Sequence, residues 1–443
     1  MPQHIAKRQQ WSLGAGFFAT AFVNQSLMVL AIPFYQMTLG VDPFLLSVVL
    51  VAPFMLASLL NPWVGHLSDN FHSRWGRRRP FILVACWVCA LLYGLVWMVP
   101  QSWSANAQLG YFALLSLLLY CAYVFLNVPM VCLSFEISRD PQTRLALMGF
   151  TTYFVKLGTL LYQWLFPLAQ LAVFSSVFVG IQVVGWGVAV LVIGLMGMLP
   201  ALLCREQSTY TPAVNRVKLA DSIVLLRHNK TFALLLLICI LQLGGGAFSA
   251  SMDYYLLVYY VHAGDIVQGS LDKGWLSTAY TVLGMLAIPL LLKWAARRDK
   301  FAVLRYVLLL SAAGGVAKWF LYVPGTGWWL ILDALLCTAI WSAMTTLVPA
   351  LIADQSDHHS RQGEPPEHGK FVALFTLVCN LSGVLAILLA GLCLNLIGFD
   401  AGLGAQQSVS TLTSMRIILA GGTLIFALVA WALLRDQIDE NHK

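Results

Sequence analysis

Residues 65–83 read GHLSDNFHSRWGRRRPFIL, and long apolar runs flank this charged stretch near 44–67 and 80–100. Each run has about the 20 residues that an α-helix needs to cross a bilayer. A chain that enters lipid must satisfy its own backbone polar groups, so such runs are expected as helices rather than open strands. Asp69, Arg74, Arg77, Arg78 and Arg79 crowd into the loop between them. A basic loop joining two spans belongs on the cytoplasmic side, and this one sets the orientation of the chain.

Composition extends that reading to the whole sequence. Hydrophobic residues make up 59% and charged residues 10%, against roughly 25% charged in a soluble domain, so a water-facing surface is excluded. Apolar runs separated by polar loops predict twelve transmembrane helices between residues 11 and 434, among them runs at 146–168, 231–261 and 275–294. Lys and Arg then gather in loops on one side, including Arg139, Arg144, Arg297, Arg298 and Lys300, while Lys273 is nearly alone on the other. This distribution puts both termini in the cytoplasm. The polar segment 204–230 separates six runs from six. It predicts an N-terminal bundle over 1–203, a cytoplasmic central loop over 204–230 and a C-terminal bundle over 231–443. SRWGRRRPF after the second run and KWAARRDKF after the eighth form a weak internal echo. Repeated bundles of this kind place a substrate site between the halves, near the bilayer midplane.

The net charge of +7 does not suggest nucleic acid, because the basic residues are dispersed among short loops. Nine cysteines fall almost wholly in apolar runs, where a thiol behaves as a small hydrophobe, so neither a disulfide nor a metal site is expected. The first run is too long for a cleaved signal. No nucleophile–base constellation, phosphate-cradling loop or nucleotide domain stands out, and no enzyme activity or cofactor is expected.

The spacing of Gly65, Asp69, Gly76, Arg77 and Arg78 resembles the loop signature of the major facilitator superfamily. The fuller string through Pro80 resembles its sucrose-transporter branch and the related glycoside-pentoside-hexuronide symporters. Further likeness lies at PFMLASLLNP (Pro53 to Pro62), NVPMVCLSFEISRDPQTR (127–144) and ADQSDHHSRQGEPPEHGKFV (353–372). The resemblance implies an all-α membrane protein of twelve transmembrane helices in two six-helix bundles, the major facilitator fold. It also implies a conformational latch made by Asp69, Arg74, Arg77, Arg78 and Arg79. Acidic residues Asp354, Asp357, Glu364 and Glu367 are a corresponding set in the second half, or ordinary solvated loop charges. The sodium-linked branch carries two carboxylates where this chain has Ala57 and Asn61, another where it has Asn127, and a lysine where it has Asn380. Sodium prefers several oxygen ligands with carboxylate charge, so sodium coupling is not expected. The sucrose branch carries an acid near Glu136, which makes Glu136 a proton-coupling candidate or else the partner of nearby arginines.

An ionisable group within a span costs a few kcal/mol by insertion scales, so each one calls for a reason. Lys318 and Asp333 flank a PGTG turn and are expected to face each other as a structural ion pair, or as a gating or coupling pair. Arg416 lies near a span end and can snorkel. Tyr153, Lys156 and Gln163 share one helix face. Asp253 follows Gly244, Gly245 and Gly246, which weaken a helix, as broken helices do at transporter sites. Asp253 is a candidate for substrate and proton binding, or else lies near the span exit. The candidate pocket is Asn24, Gln25, Asn127, Tyr153, Lys156, Asp253, Tyr254, Tyr255, Trp341 and Asn380, since amides and carboxylates suit sugar hydroxyls and aromatic faces suit a pyranose. The expected activity is secondary active transport, with proton-coupled symport of a small saccharide or glycoside by a monomer in the bilayer of a bacterial inner membrane. A facilitator or exporter without coupling, and a sugar sensor that transports nothing, are the alternatives.

Overall fold

The computed structural model describes residues 6–137, 141–204, 229–361 and 368–441. Most of the predicted central loop, together with Arg139, Glu364 and Glu367, lies outside the described residues. Among those described, eleven helices are long and apolar enough to cross a membrane. They are α1 (Lys7–Thr38), α2 (Pro43–Asn70), α3 (Arg79–Val96), α4 (Ala105–Glu136), α6 (Val177–Leu203), α7 (Lys230–Val261), α8 (Ile266–Arg297), α9 (Lys300–Leu321), α10 (Gly327–Ser356), α11 (Phe371–Leu396) and α12 (Val409–Arg435). Helix α5 (Pro141–Tyr162) covers most of the fifth predicted run.

Short polar residues start the helices. Asp42, Ser104, Asp265, Asp299 and Ser408 each accept a backbone N–H of the first turn, which satisfies donors that the helix itself leaves free. Helix α8 begins at Ile266, nine residues before the predicted run, because Asp265 caps it there through Val267 and Gln268 N–H. Lys273 therefore stands on a helix, not in a loop. The glycine run of α7 does not break the chain. Residues Ile240–Gly246 widen into a π-helical segment, and Leu256–Val261 form a second.

Contacts divide the chain into two compact units, Met1–Pro212 and Ala213–Lys443. In the first, α1 packs on α5 and α6, and α4 packs on α2 and α3. In the second, α10 packs on α8 and α9, α9 on α12, and α7 on α11. Small residues permit close approach, as in other membrane helices. Gly245 faces the ring of Phe426, and a Cβ added at Gly315 would stand 2.6 Å from the Leu424 backbone nitrogen. Large apolar side chains such as Leu59, Leu290 and Phe320 are exposed, as expected of a surface dissolved in lipid.

Candidate functional site

The charged loop after α2 folds onto its own unit. Gly76 adopts a φ of +102°, a region that favours glycine. The Ser73 hydroxyl closes the turn by donating to the Gly76 carbonyl at 2.6 Å. This turn brings three arginines, at the entry to α3, onto the ends of α2, α4 and α6. Arg78 is buried and donates to Asp69 and to Glu136 Oε1, the latter at 3.2 Å, while Arg77 reaches the same oxygen at 3.4 Å. Burial works against the Arg78 charge, but the Cys132 thiol, Glu136 and Asp69 more than reverse that effect and raise its pKa. Arg79 donates to the carbonyls of Ala201 and Leu202 at the end of α6, where a helix dipole favours a cation. Arg74 is exposed. Of the two expectations for Glu136, the structure displays the arginine pairing.

In the second unit Lys300 pairs with Asp354 at 2.6 Å, joining the start of α9 to the end of α10. In the first unit the entry to α3 and the end of α4 are joined likewise, by Arg78 and Glu136. Asp357 is among the residues whose side chains are not described.

Asp253 is buried in α7 and accepts from Lys273 Nζ at 2.6 Å. One residue on, the Tyr254 hydroxyl meets Ser270 Oγ at 2.7 Å, and His262 Nε2 lies 2.7 Å from Asp272 Oδ2. Three polar contacts thus zip α7 to α8. Hydropathy alone begins this run at 275 and leaves Lys273 in a loop, whereas the capping pattern at Asp265 carries the signal that the helix starts earlier. Tyr255 packs its ring against Phe399.

Lys318 and Asp333 meet at 2.8 Å with side chains 4% and 0% exposed. The Tyr322 hydroxyl donates to the other carboxylate oxygen at 2.9 Å. Gly325 and Gly327, both at positive φ, make the tight turn that sets the two helices face to face. Arg416 lies against the rings of Tyr260 and Trp319, 4.9 and 4.3 Å from their centroids, a cation–π arrangement, and donates to the Trp319 carbonyl.

The remaining candidates are more dispersed. In the first unit Asn24 and Asn127 are partly buried, Gln25 is exposed, and the Asn24 carbonyl accepts from Tyr120. Tyr153 is 70% exposed and Lys156 partly so. Among the described residues no acid pairs with Lys156. In the second unit Trp341 and Asn380 are exposed.

Two units of long apolar helices, with basic loops fastened to helix ends, define a major facilitator transporter, a multi-pass integral membrane protein. The profile of the MFS/sugar transport protein family matches residues 12–439, and the chain belongs to that family. It is 25% identical over 361 residues to an "uncharacterized symporter YnaJ" of Bacillus subtilis, covering 79% of this chain and 75% of that one. It is 26% identical over 200 residues to a "putative glycoside/cation symporter YagG" of Escherichia coli, covering 45% and 42%. The fold matches a bacterial homologue of the human lysosomal transporter Spinster with a TM-score of 0.68 at 16% identity over 97% of each chain. It matches the nucleoside transporter NupG at 0.66 and 13% identity, over 97% and 99%. Bacterial relatives of this family place the protein in a bacterial inner membrane.

Proposed function

We propose that the protein is a proton-coupled symporter of a small saccharide or glycoside, working by alternating access of its two helical bundles, 1–203 and 231–443, joined by the cytoplasmic loop 204–230. The observation that carries this reading is the Asp253–Lys273 pair at 2.6 Å beside Tyr254, inside the spans of a family described as sugar transporters. A buried carboxylate in a span is costly and, when paired, marks a functional site by default, and carboxylates suit sugar hydroxyls. Asp253 is the substrate-side acid, Tyr254 and Tyr255 flank it, and Lys156 offers a donor without a local counter-ion. Asn24, Gln25, Asn127, Tyr153, Trp341 and Asn380 complete the set of amides and rings. Glu136, held by Arg77 and Arg78, belongs with Asp69 and Arg79 in a latch that forms in one access state and opens in the other. The name of the related "putative glycoside/cation symporter" supports the substrate class. The chain works as a monomer.

A second reading, an uncoupled facilitator, is favoured by Ala57, Asn61, Asn127 and Asn380 standing where charged residues couple transport in the sodium-linked branch. Proteoliposomes separate the readings. With an inward proton gradient, a symporter concentrates one member of a saccharide panel and a facilitator only equilibrates it. Absence of any uptake across the panel would leave the sensor reading in place.

A further inference from the structure

The Lys318–Asp333 pair has one feature that a purely structural pair does not need. Lys318 lines a cavity of about 30 Å³ together with Gln242, Tyr280, Ser311 and Trp341. This is enough space for a water or two, since one water needs roughly 10–15 Å³, but not for a sugar ring. Asp333 does not itself line it; Lys318 and Cys337, which both do, stand against its carboxylate, as does Tyr322. The cavity wall offers oxygen acceptors. The Gln242 amide nitrogen is committed to the Phe426 carbonyl at 3.1 Å, which leaves its oxygen, and Ser311 contributes a hydroxyl.

We propose that Asp333 takes up the coupled proton when Lys318 turns from it to an oxygen acceptor in the adjoining cavity. The inference rests on the proton-coupled reading above and names its proton site. With the pair closed, the ammonium and the Tyr322 hydroxyl both favour the carboxylate, and the cluster is neutral. When a cavity water or the Gln242 or Ser311 oxygen accepts from Lys318 instead, the carboxylate is left as an uncompensated charge in a dry interior, which is strongly unfavourable. A hydronium ion then transfers its proton to the carboxylate. The products are a carboxylic acid and water, Lys318 stays an ammonium, and the cluster carries one positive charge. A substrate that favours the arrangement in which Lys318 has turned also favours proton uptake, and by linkage the coupling is reciprocal.

The groups that face the pair are few. They are Tyr322 beyond α9, Tyr280 from α8, Cys337 one turn along α10 and, through space, Asp253 of α7, itself held by Lys273. From α12 comes only the uncharged Thr423, and α11 contributes nothing to the cavity. No second cation among these groups stands ready to replace Lys318 at Asp333.

A structural pair and a coupling pair respond differently to removal of both charges. Replacing a buried ion pair by apolar residues of similar size is often neutral for stability, whereas removing one partner is damaging. The test uses proteoliposomes and three radiolabelled sugars, sucrose, melibiose and methyl β-D-glucoside. Lys318→Met combined with Asp333→Leu is expected to lose accumulation under a proton gradient while still exchanging internal for external sugar, and Asp333→Asn should behave alike. Should Asp333→Asn fail to fold, the double variant decides. Accumulation by the double variant at the level of the unchanged chain overturns this inference alone. If the unchanged chain accumulates none of the three sugars, the proton-coupled reading and this inference fall together.

Discussion

Arg78 bridges two carboxylates, so its removal weakens the hold on both, with Arg77 still 3.4 Å from Glu136. Arg78→Ala leaves Glu136, itself buried at 4% exposure, close to a dry helix end. Its loss should cost about 3–5 kcal/mol, the usual penalty for breaking a buried pair. Thermal unfolding in detergent measures this, and Glu136→Leu added to Arg78→Ala should recover a large part of the loss because coupled sites are not additive. The acid and the arginine run were both legible in the sequence, and so was their pairing as one of two options. Lys273 was not. Hydropathy marks where a helix enters apolar surroundings, whereas a cap such as Asp265 can start it several residues earlier in polar ones.

Helices in this protein approach each other through small residues, and the effect of enlarging one depends on what faces it. At Gly315 an added Cβ meets backbone of α12, which has no rotamer with which to retreat. Gly315→Ala should destabilise by about 1–3 kcal/mol, as overpacking does. Gly110, within α4, has nothing within 4 Å of that position. There Gly110→Ala should stabilise by about 0.5–1 kcal/mol through helix propensity alone. Melting of the two variants side by side checks the contrast, and equal shifts would refute it. The existence of the helices could be read from apolar run length. The π-helical widening of α7 could not, because glycines announce weakness in a helix without saying whether the chain will break or widen.

At the scale of the whole molecule, composition and loop charge led to the membrane class, through physics that acts over the entire chain, whereas the family came from the resemblance carried by residues 65–83. The site is less legible, since pairs such as Asp253 with Lys273 depend on helix register. Ala57 and Asn61 lack the charge that sodium prefers. Uptake at fixed pH should therefore be the same in sodium-free and sodium-rich buffer, and a large sodium stimulation would contradict this. The two units also repeat one fastening, Arg78 to Glu136 in the first and Lys300 to Asp354 in the second, with unequal protection. The first pair is 2% exposed on both sides, the second 35% and 50%. Mobile ions screen exposed charges over roughly 8–10 Å at ordinary ionic strength and leave buried ones largely untouched. Raising potassium chloride should thus speed amide hydrogen exchange where α9 meets α10 and leave the junction of α3 with α4 unchanged. One protein would then carry two copies of the same clasp, one set by its own folding and the other tuned by the salt around it.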